Sequence, residues 1–403
     1  MPDTIKKIVI APDKFKGTYT AITISDLIAQ ELIIGFSGDI ILCPMADGGE
    51  GSQNVIENAL FDQSKRCEIT TVDSLGRTIA TEILICNKGQ TAIIEAAKTI
   101  GLTLIKPSER NPDNTSSYGL GIIIKYIIEN YEKVNKIRIA IGGVATNDAG
   151  IGMLSALGYS FKLRSDYNSM AMCSSSTYRL SSKGSQIAEI LQNITEIIPP
   201  KNSQLLSKIK EHKIKIEILC DVRNPLLGIN GATNIYSRQK GADSKLREHF
   251  ERGMINWVRT VKKYLSFNET QKMLSIEYNS EETLPGSGAA GGLGYTFHNI
   301  LRAELQNGFE EISKITKLEE KISTADIVIS GEGALDRQSL NGKVPIGVAK
   351  ICLKHSKPLI IVCGKNKLSP LEYHEAGISK VLTLMEIAKC PFNTRFELIA
   401  DTK

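Results

Sequence analysis

Short runs of Val, Ile and Leu recur along the chain, and each is followed by a polar, glycine-rich loop and then by apolar residues at helical spacing. Such continuous apolar runs are typical of strands that are buried on both faces of a parallel sheet. The alternation of these strands with helices predicts an α/β protein. The clearest predicted strands span residues 8–11, 39–43, 136–141, 216–220, 326–330, 358–363 and 380–384.

The middle of the chain has a different pattern from its two ends. Two β-α units occupy the N-terminal part and three predicted strands follow residue 325, whereas residues 67–95 have the polar interruptions that suit antiparallel pairing. The simplest layout is a doubly wound domain made of residues 1–64 and 285–403, with a second α/β domain, residues 65–284, inserted into it. We expect each boundary to be accurate to about ten residues.

Composition and charge narrow the range of functions. The 403 residues are 42% hydrophobic and 23% charged, which is ordinary for a globular protein of two domains. The net charge of +5, without a block of like charge, disfavours a nucleic-acid-binding protein. No apolar stretch reaches the ~18 residues of a membrane span, and the first apolar run is too short for a signal peptide. We therefore expect a cytoplasmic protein with neither a nucleic-acid nor a membrane partner.

Several common catalytic and cofactor motifs are missing from the sequence. Its eight cysteines form no CxxC pair and its five histidines show no metal-ligand spacing, which predicts reduced thiols and no zinc site. Neither a GxSxG nucleophile motif nor a Walker A loop occurs. Gly286, Gly288 and Gly291 satisfy GxGxxG, but the residues before them lack a strand pattern, so a dinucleotide site is not predicted.

Five predicted strand-to-helix loops place an acidic residue close to glycine, at the sheet edge where open α/β folds bind ligands. Two of these loops have a plain structural alternative, since Gly48 and Gly49 suit a tight turn and Asp148 suits a helix cap. The candidate residues are Lys14 and Lys16 in APDKFKGT, Asp47, Gly48 and Gly49 in PMADGGEGS, Gly142, Gly143 and Asp148 in IGGVATNDAGIG, Asp221 and Asn224 in DVRNPLLG, and Glu332, Asp336 and Lys343 in SGEGALDRQSLNGKVP.

Carboxylates, lysines and glycine amides together are what phosphoryl transfer requires. Carboxylates hold Mg²⁺, lysines and amides neutralise the transferring group, and one carboxylate can accept the proton of the acceptor hydroxyl. The loops therefore predict one site, formed where they converge, that transfers a phosphoryl group.

The chain resembles the type I glycerate kinase family in eight motifs, which fall in the family's order and span residues 7–385. It departs from the family where Val144 and Ala149 stand in a loop that usually reads GGSATxDGG, and where Ala334 replaces the arginine of GEGRxD. The motifs are IAPDKFKGTYTA, PMADGGEGS, RNPDNTSSYGLG, IGGVATNDAGIGMLSALG, CDVRNPLLG, RQKGAD, PGSGAAGGLG and SGEGALDRQSLNGKVPIGVA.

The resemblance implies a kinase that uses ATP and Mg²⁺ to phosphorylate D-glycerate to 2-phosphoglycerate or 3-phosphoglycerate. It also implies a flavodoxin-like domain that carries an inserted second α/β domain, with both substrates in the cleft between them. Two alternatives stay open: a non-catalytic protein that binds glycerate or nucleotide, and a kinase for another small hydroxy acid.

Each candidate residue is given a predicted role on this basis. The acids Asp47, Asp148 and Asp221 are candidates for the catalytic centre, with Asp47 and Asp221 as possible Mg²⁺ ligands. Phosphate binding is predicted for Lys14 and Lys16, and close backbone approach to the substrates for Gly48, Gly49, Gly142 and Gly143. Asn224 is predicted to contact substrate, while Glu332, Asp336 and Lys343 are predicted to bind nucleotide, Mg²⁺ or phosphate. Arg110 and Lys240 are predicted either to bind the glycerate carboxylate or to form an interdomain salt bridge.

Overall fold

The computed structural model describes residues 5–164, 177–267 and 284–389. It is an α/β protein, as predicted, and it divides into two compact units. The first unit comprises Met1–Phe61 and Asn307–Lys403, and the second comprises Asp62–Gln306. The expected boundary at residue 285 precedes the observed division, because the helix and the short strand that follow it belong to the second unit.

The strands lie close to the predicted apolar runs. The first of them is buried at three of its four positions, as expected for a strand that is covered on both faces. The strands are β1 (Lys7–Ile10), β2 (Asp39–Leu42), β3 (Ser64–Val72), β4 (Thr78–Cys86), β5 (Thr91–Glu95), β6 (Lys136–Ala140), β7 (Ser160–Leu163), β8 (Ile194–Ile198), β9 (Lys215–Leu219), β10 (Glu304–Gln306), β11 (Ile327–Leu335), β12 (Leu359–Asn366) and β13 (Lys380–Thr383).

Several of the described α-helices begin with a capping side chain, among them those capped by Thr20, Ser203, Asn307 and Ser369. Thr20 caps the first helix, accepting a hydrogen bond from the Thr23 amide. No helix among the described residues is long and apolar enough to cross a membrane. The helices are α1 (Ala21–Ile33), α2 (Ser52–Leu60), α3 (Ala97–Ile100), α4 (Tyr118–Asn130), α5 (Ile151–Ala156), α6 (Ile187–Asn193), α7 (Gln204–Lys210), α8 (Ala232–Tyr236), α9 (Ser244–Phe267), α10 (Ala289–Leu301), α11 (Gly308–Thr316), α12 (Leu318–Ser323), α13 (Val344–Lys354), α14 (Pro370–Glu375) and α15 (Leu384–Lys389).

The first unit contains a five-stranded sheet in the order β13-β12-β11-β1-β2. All four neighbouring pairs are parallel. Counted along the chain within this unit, the order is that of flavodoxin-like sheets, which confirms the predicted doubly wound class. The strand order reverses between β1 and β11, and open α/β sheets bind their ligands at such a switch point, beyond the carboxyl ends of the strands.

The second unit contains a six-stranded mixed sheet in the order β10-β9-β6-β5-β4-β3. The pairs β3-β4 and β4-β5 are antiparallel, as predicted for residues 67–95. From β5 onward the pairs are parallel, so the carboxyl ends of β5, β6, β9 and β10 lie at one edge. A separate antiparallel pair is formed by β7 and β8.

Each unit has its own hydrophobic core. The core of the first unit is formed by isoleucines of β1, β11 and β12 together with the apolar face of α1. The larger core of the second unit includes Trp257, the only tryptophan of the chain, which is fully buried. The six cysteines within the described ranges are free thiols.

Candidate active site

A lysine flanked by two carboxylates lies at the switch point of the first unit. The Nζ atom of Lys14 is 3.6 Å from Oδ1 of Asp13 and 3.6 Å from Oδ1 of Asp47. Lys14 follows β1 and Asp47 follows β2, so the parallel pairing of these strands carries both side chains to the same edge. The structure thus brings together two residues that the sequence had predicted to share a site.

Two glycines allow the Asp47 loop to take its shape. Gly48 has a φ of +81°, in the left-handed region that favours glycine, and the Gly49 amide donates a hydrogen bond of 3.1 Å to Oδ1 of Asp47. At the start of α11, a Cβ on Gly308 would lie only 2.4 Å from the Asp47 carbonyl oxygen. The loop is therefore a tight turn that also holds the Asp47 carboxylate, and the approach of its glycine amides to a phosphate stays a prediction.

Asp13 is a site residue that the sequence analysis did not select. Its side chain is buried, and its Oδ1 accepts a hydrogen bond of 2.7 Å from the Lys14 amide. Burial, and next the negative charge of Asp47, raise the pKa of Asp13 to about 7 despite the opposing charge of Lys14. Its place directly after β1, in the Ala-Pro-Asp sequence, is the signal that could have identified it.

Glu332 and Lys343 form a second ion pair in the first unit. Lys343 Nζ is 3.5 Å from Oε2 of Glu332, and burial is the main cause that raises the pKa of this carboxyl. The sequence placed Glu332 in a loop, but β11 continues to Leu335 and pairs with β12 over its whole extension. Glu332 therefore lies within β11, one position after Gly331, where a Cβ would lie 2.4 Å from the Val362 carbonyl oxygen.

The other two candidates of the first unit are less engaged. Asp336 Oδ1 accepts a hydrogen bond of 3.0 Å from the Gln338 amide, and its Oδ2 lies 3.6 Å from Lys367 Nζ. Lys16 is exposed. Asp336 thus stabilises the turn that precedes α13, and both roles assigned to these residues stay predictions.

In the second unit, Asp148 is fully buried and its carboxylate is saturated with hydrogen bonds. Oδ2 accepts from the amide of Ser117 at 2.8 Å, from the Ser117 hydroxyl at 2.7 Å and from the amide of Gly152 at 3.2 Å. Oδ1 accepts from the amide of Gly150 at 3.0 Å. Burial raises the pKa of Asp148, while these four hydrogen bonds act in the opposite direction.

This geometry gives Asp148 a structural role, and the catalytic role predicted for it stays a prediction. Its carboxylate accepts four internal hydrogen bonds and has no exposed surface, so it is held in place by the fold. Its partners lie at the N-terminal ends of α4 and α5, so Asp148 joins these two helices, as its capping alternative had suggested. Ser117, the residue that makes this possible, was missed because it lies 31 positions earlier in the chain.

Lys240 and Arg110 lie on adjoining segments of the second unit. Gly241, which follows Lys240, has a φ of +101°, and a Cβ there would lie 2.0 Å from the Arg110 carbonyl oxygen. Lys240 is buried, and its Nζ donates a hydrogen bond of 2.7 Å to the Thr146 carbonyl oxygen. Burial lowers the pKa of Lys240 to about 8, although the nearby Asp148 opposes this shift.

The remaining candidates of the second unit line the ends of β6 and β9. Asp221 directly follows β9, and its charge helps to raise the pKa of Cys220, for which burial is the larger cause. The Asn224 side chain holds its own loop, since its Nδ2 donates to the Asn230 carbonyl at 2.9 Å and its Oδ1 accepts from the Tyr236 hydroxyl. Gly142 is half-buried and Gly143 exposed.

The glycines of the GxGxxG match serve backbone packing. A Cβ on Gly288 would lie 2.1 Å from the Pro225 carbonyl oxygen, and one on Gly291 would lie 2.3 Å from that of Thr146. The Gly291 carbonyl in turn accepts a hydrogen bond from the Ala149 amide at 3.0 Å. These glycines bring the start of α10 against the loops that follow β6 and β9, which agrees with the rejection of a dinucleotide fingerprint.

With this geometry established, comparison with known proteins decides the family. The sequence model of the glycerate kinase family matches residues 8–394. The chain belongs to the glycerate kinase family. This confirms the resemblance that its eight motifs indicated.

Individual relatives agree with the family model. The chain is 33% identical to glycerate 2-kinase of Escherichia coli, over 94% of this chain and 90% of that protein. It is 35% identical to an uncharacterised Synechocystis protein, over 91% of this chain and 87% of the other. The crystal structure of a protein assigned as glycerate kinase 2 from Salmonella typhimurium LT2 matches with a TM-score of 0.70 at 29% identity, covering 94% of this chain and 90% of that one.

Ala149 has a backbone conformation that favours glycine. It occupies a position with a φ of +48°, in the left-handed region, and is fully buried. The left-handed conformation costs an alanine about 1–2 kcal/mol relative to the right-handed one, whereas glycine avoids the penalty. We therefore expect Ala149→Gly to be more stable than the matched helical control Ala156→Gly by about 1–2 kcal/mol. Urea unfolding of both variants, followed by Trp257 fluorescence, measures this difference, and equal stabilities would contradict it.

Proposed function

We propose that the protein is an ATP- and Mg²⁺-dependent kinase that transfers the γ-phosphoryl group of ATP to a hydroxyl of D-glycerate, giving 2-phosphoglycerate. Membership of the glycerate kinase family supports a kinase, and the name of the Escherichia coli relative favours the 2-phosphorylated product. The observation that carries the proposal is the Lys14 ammonium between two carboxylates at the sheet's switch point.

The Lys14 side chain supplies the positive charge that phosphoryl transfer requires. An ammonium in a partly water-excluded site stabilises the negative charge that spreads over the transferring phosphoryl oxygens. The Lys14 side chain is 19% exposed, so water screens its charge only weakly. The glycine-rich turn after Asp47 adds backbone amides that can approach a phosphate closely.

The Asp47 carboxylate beside Lys14 fits a magnesium site that substrate completes. No group of three or more His, Cys, Asp or Glu side chains within the described ranges is arranged to hold a metal ion. Mg²⁺ is commonly bound by only one or two carboxylates together with substrate phosphates, so Asp47 is a sufficient protein contribution. When bound with ATP, the ion would neutralise phosphate charge.

Asp13 has the properties of a proton acceptor near neutral pH. Its pKa of about 7 places it between the protonated and ionised forms under cellular conditions, which suits general base catalysis. The neighbouring Lys14 ammonium stabilises the ionised form. We propose that Asp13 accepts the proton of the acceptor hydroxyl. Asp47 would stabilise the Lys14 ammonium and Mg²⁺.

Asp13→Asn has opposite expected effects on activity and on stability. In the folded state the pKa of Asp13 is raised above its ordinary 3.8. Ionisation of Asp13 therefore lowers the free energy of unfolding, increasingly so as the pH rises toward 7. Asparagine keeps the oxygen that accepts from the Lys14 amide but never ionises. The variant should therefore be more stable than the parent by about 1–3 kcal/mol at pH 8 and about equal to it at pH 4, while kcat falls at least about a hundredfold. Urea unfolding in EDTA at both pH values tests the first part, and a lower stability at pH 8 would contradict it.

The activity itself is tested with purified protein, ATP, Mg²⁺ and a panel of hydroxy acids. We expect phosphorylation of D-glycerate, with ³¹P and ¹³C NMR placing the phosphate on C2. A phosphate on C3 would correct the product, and preference for another hydroxy acid would correct the acceptor. Binding of glycerate or ATP without any turnover would instead show a non-catalytic binding protein.

A further inference from the structure

Two adjacent residues of the second unit each have a buried polar atom without a hydrogen-bond partner. The atoms are Oγ1 of Thr146 and Oδ1 of Asn147, and neither residue has any exposed surface. A buried polar atom left without a partner costs about 1–3 kcal/mol, so two such atoms in adjacent residues require an explanation. Both residues follow β6, at the edge where the parallel strands of this unit end.

The buried Lys240 ammonium contacts the same segment. One of its three donor positions is used by the Thr146 carbonyl oxygen at 2.7 Å. Asp148 is the acidic group whose charge acts on Lys240, but that carboxylate already accepts four hydrogen bonds from Ser117, Gly150 and Gly152. The ammonium therefore retains donor capacity at the segment that carries the two unpartnered oxygens.

The segment is held firmly on its other sides. The Nδ2 atom of Asn147 donates to Oγ1 of Thr233 at 3.3 Å, which fixes the direction of the amide group. The Ala149 carbonyl accepts from the Thr296 hydroxyl, and this hydroxyl in turn accepts from Nε1 of Trp257 at 3.0 Å. Such positioning of polar groups is what a specific binding site requires.

We propose that Thr146, Asn147 and Lys240 form a subsite for a small hydroxycarboxylate, the acceptor substrate. The ammonium matches the carboxylate, Oδ1 of Asn147 accepts from a hydroxyl, and the Thr146 hydroxyl can donate or accept. The inference rests on the proposed function for the identity of the ligand, D-glycerate. Because the three side chains are shielded from solvent, the ligand enters by local opening of the segments that cover them.

The Thr146→Val variant tests whether the Thr146 hydroxyl binds a ligand or is merely buried. Valine keeps the shape and removes an unpartnered polar atom, so the melting temperature should stay the same or rise. If the hydroxyl binds the acceptor, the Kd for D-glycerate, measured by isothermal titration calorimetry with a non-hydrolysable ATP analogue present, should increase about tenfold or more. The KM for ATP should stay within about twofold of the parent, and Thr146→Ser should restore glycerate binding.

Thr260→Val is the matched control in the same unit. The Thr260 hydroxyl is buried but is satisfied by the carbonyl oxygens of Asn256 and Ile194, at 2.9 and 3.2 Å. Its loss should lower the melting temperature and leave glycerate binding unchanged. Asn147→Asp is a second test, because an added negative charge should repel the carboxylate and weaken binding at least tenfold even if the valine variant misfolds.

The outcomes distinguish the subsite from the proposed activity. An unchanged Kd for glycerate in both Thr146→Val and Asn147→Asp overturns the subsite, even if the parent protein phosphorylates glycerate. Weakened binding in both variants supports the subsite, even if the parent protein binds glycerate without phosphorylating it. A parent protein that binds no small hydroxycarboxylate at all overturns the subsite as well.

Discussion

Asp47→Asn is expected to lower kcat for glycerate phosphorylation by about a thousandfold while leaving the fold intact. Asparagine retains the oxygen that accepts the Gly49 amide at 3.1 Å, so the loop keeps its shape. It loses the charge that lies 3.6 Å from Lys14 and that would hold Mg²⁺. Steady-state kinetics at saturating ATP and Mg²⁺, with the melting temperature measured alongside, test this expectation.

Asp26→Asn is the control for this variant. Asp26 is exposed on α1, in the same unit, and its replacement should change neither kcat nor the melting temperature. Turnover of Asp47→Asn at the level of this control would remove Asp47 from the catalytic centre. It would also leave Asp13 as the one carboxylate beside Lys14 with a proposed role.

Asp148→Asn has a large expected effect on stability, about 3–5 kcal/mol of lost unfolding free energy. The carboxylate accepts from three amides and one hydroxyl, whereas an asparagine side chain must turn its NH₂ group toward some of these donors. Those donors then remain buried without a partner, and Lys240 loses the nearby negative charge. Urea unfolding followed by Trp257 fluorescence measures the loss in the unit that contains Asp148.

Asp243→Asn provides the comparison, because Asp243 is exposed and accepts a single hydrogen bond from the Leu246 amide near the start of α9. Asparagine caps a helix about as well as aspartate, so this variant should lie within about 0.5 kcal/mol of the parent. A similarly small effect for Asp148→Asn would show that its four hydrogen bonds contribute little to the stability of the second unit.

The strands could be predicted from the sequence because strands buried on both faces leave continuous apolar runs. The run at residues 8–11 differs from β1 by one residue at each end, and the run at residues 380–384 extends one residue beyond β13. The boundary at 285 could not be placed because β10 has three residues, one of them exposed, and carries no such run. Glu332 was placed in a loop because Gly331 and Gly333 resemble a turn, while strand pairing with β12 keeps them extended.

The sequence predicts that the candidate site residues follow the ends of strands, but it does not distinguish the roles of the individual acidic residues. Asp47 and Asp148 follow strands in similar glycine-rich contexts, yet one side chain is 27% exposed beside a lysine and the other is saturated by distant donors. Hydrogen bonds from Ser117 depend on tertiary structure, which no local pattern contains. The convergence of loops from both units in a single crevice stays a prediction.

The discontinuity of the first unit determines the order in which the protein can fold during synthesis. The second unit is one uninterrupted stretch and is complete once residue 306 has left the ribosome. In contrast, β1 pairs with β11, with Ile8 opposite Ile327, so β1 must wait for one of its two partner strands, which is made more than three hundred residues later. Until then β1 and β2 carry an open, apolar edge, and a nascent chain arrested at this stage would be prone to aggregation.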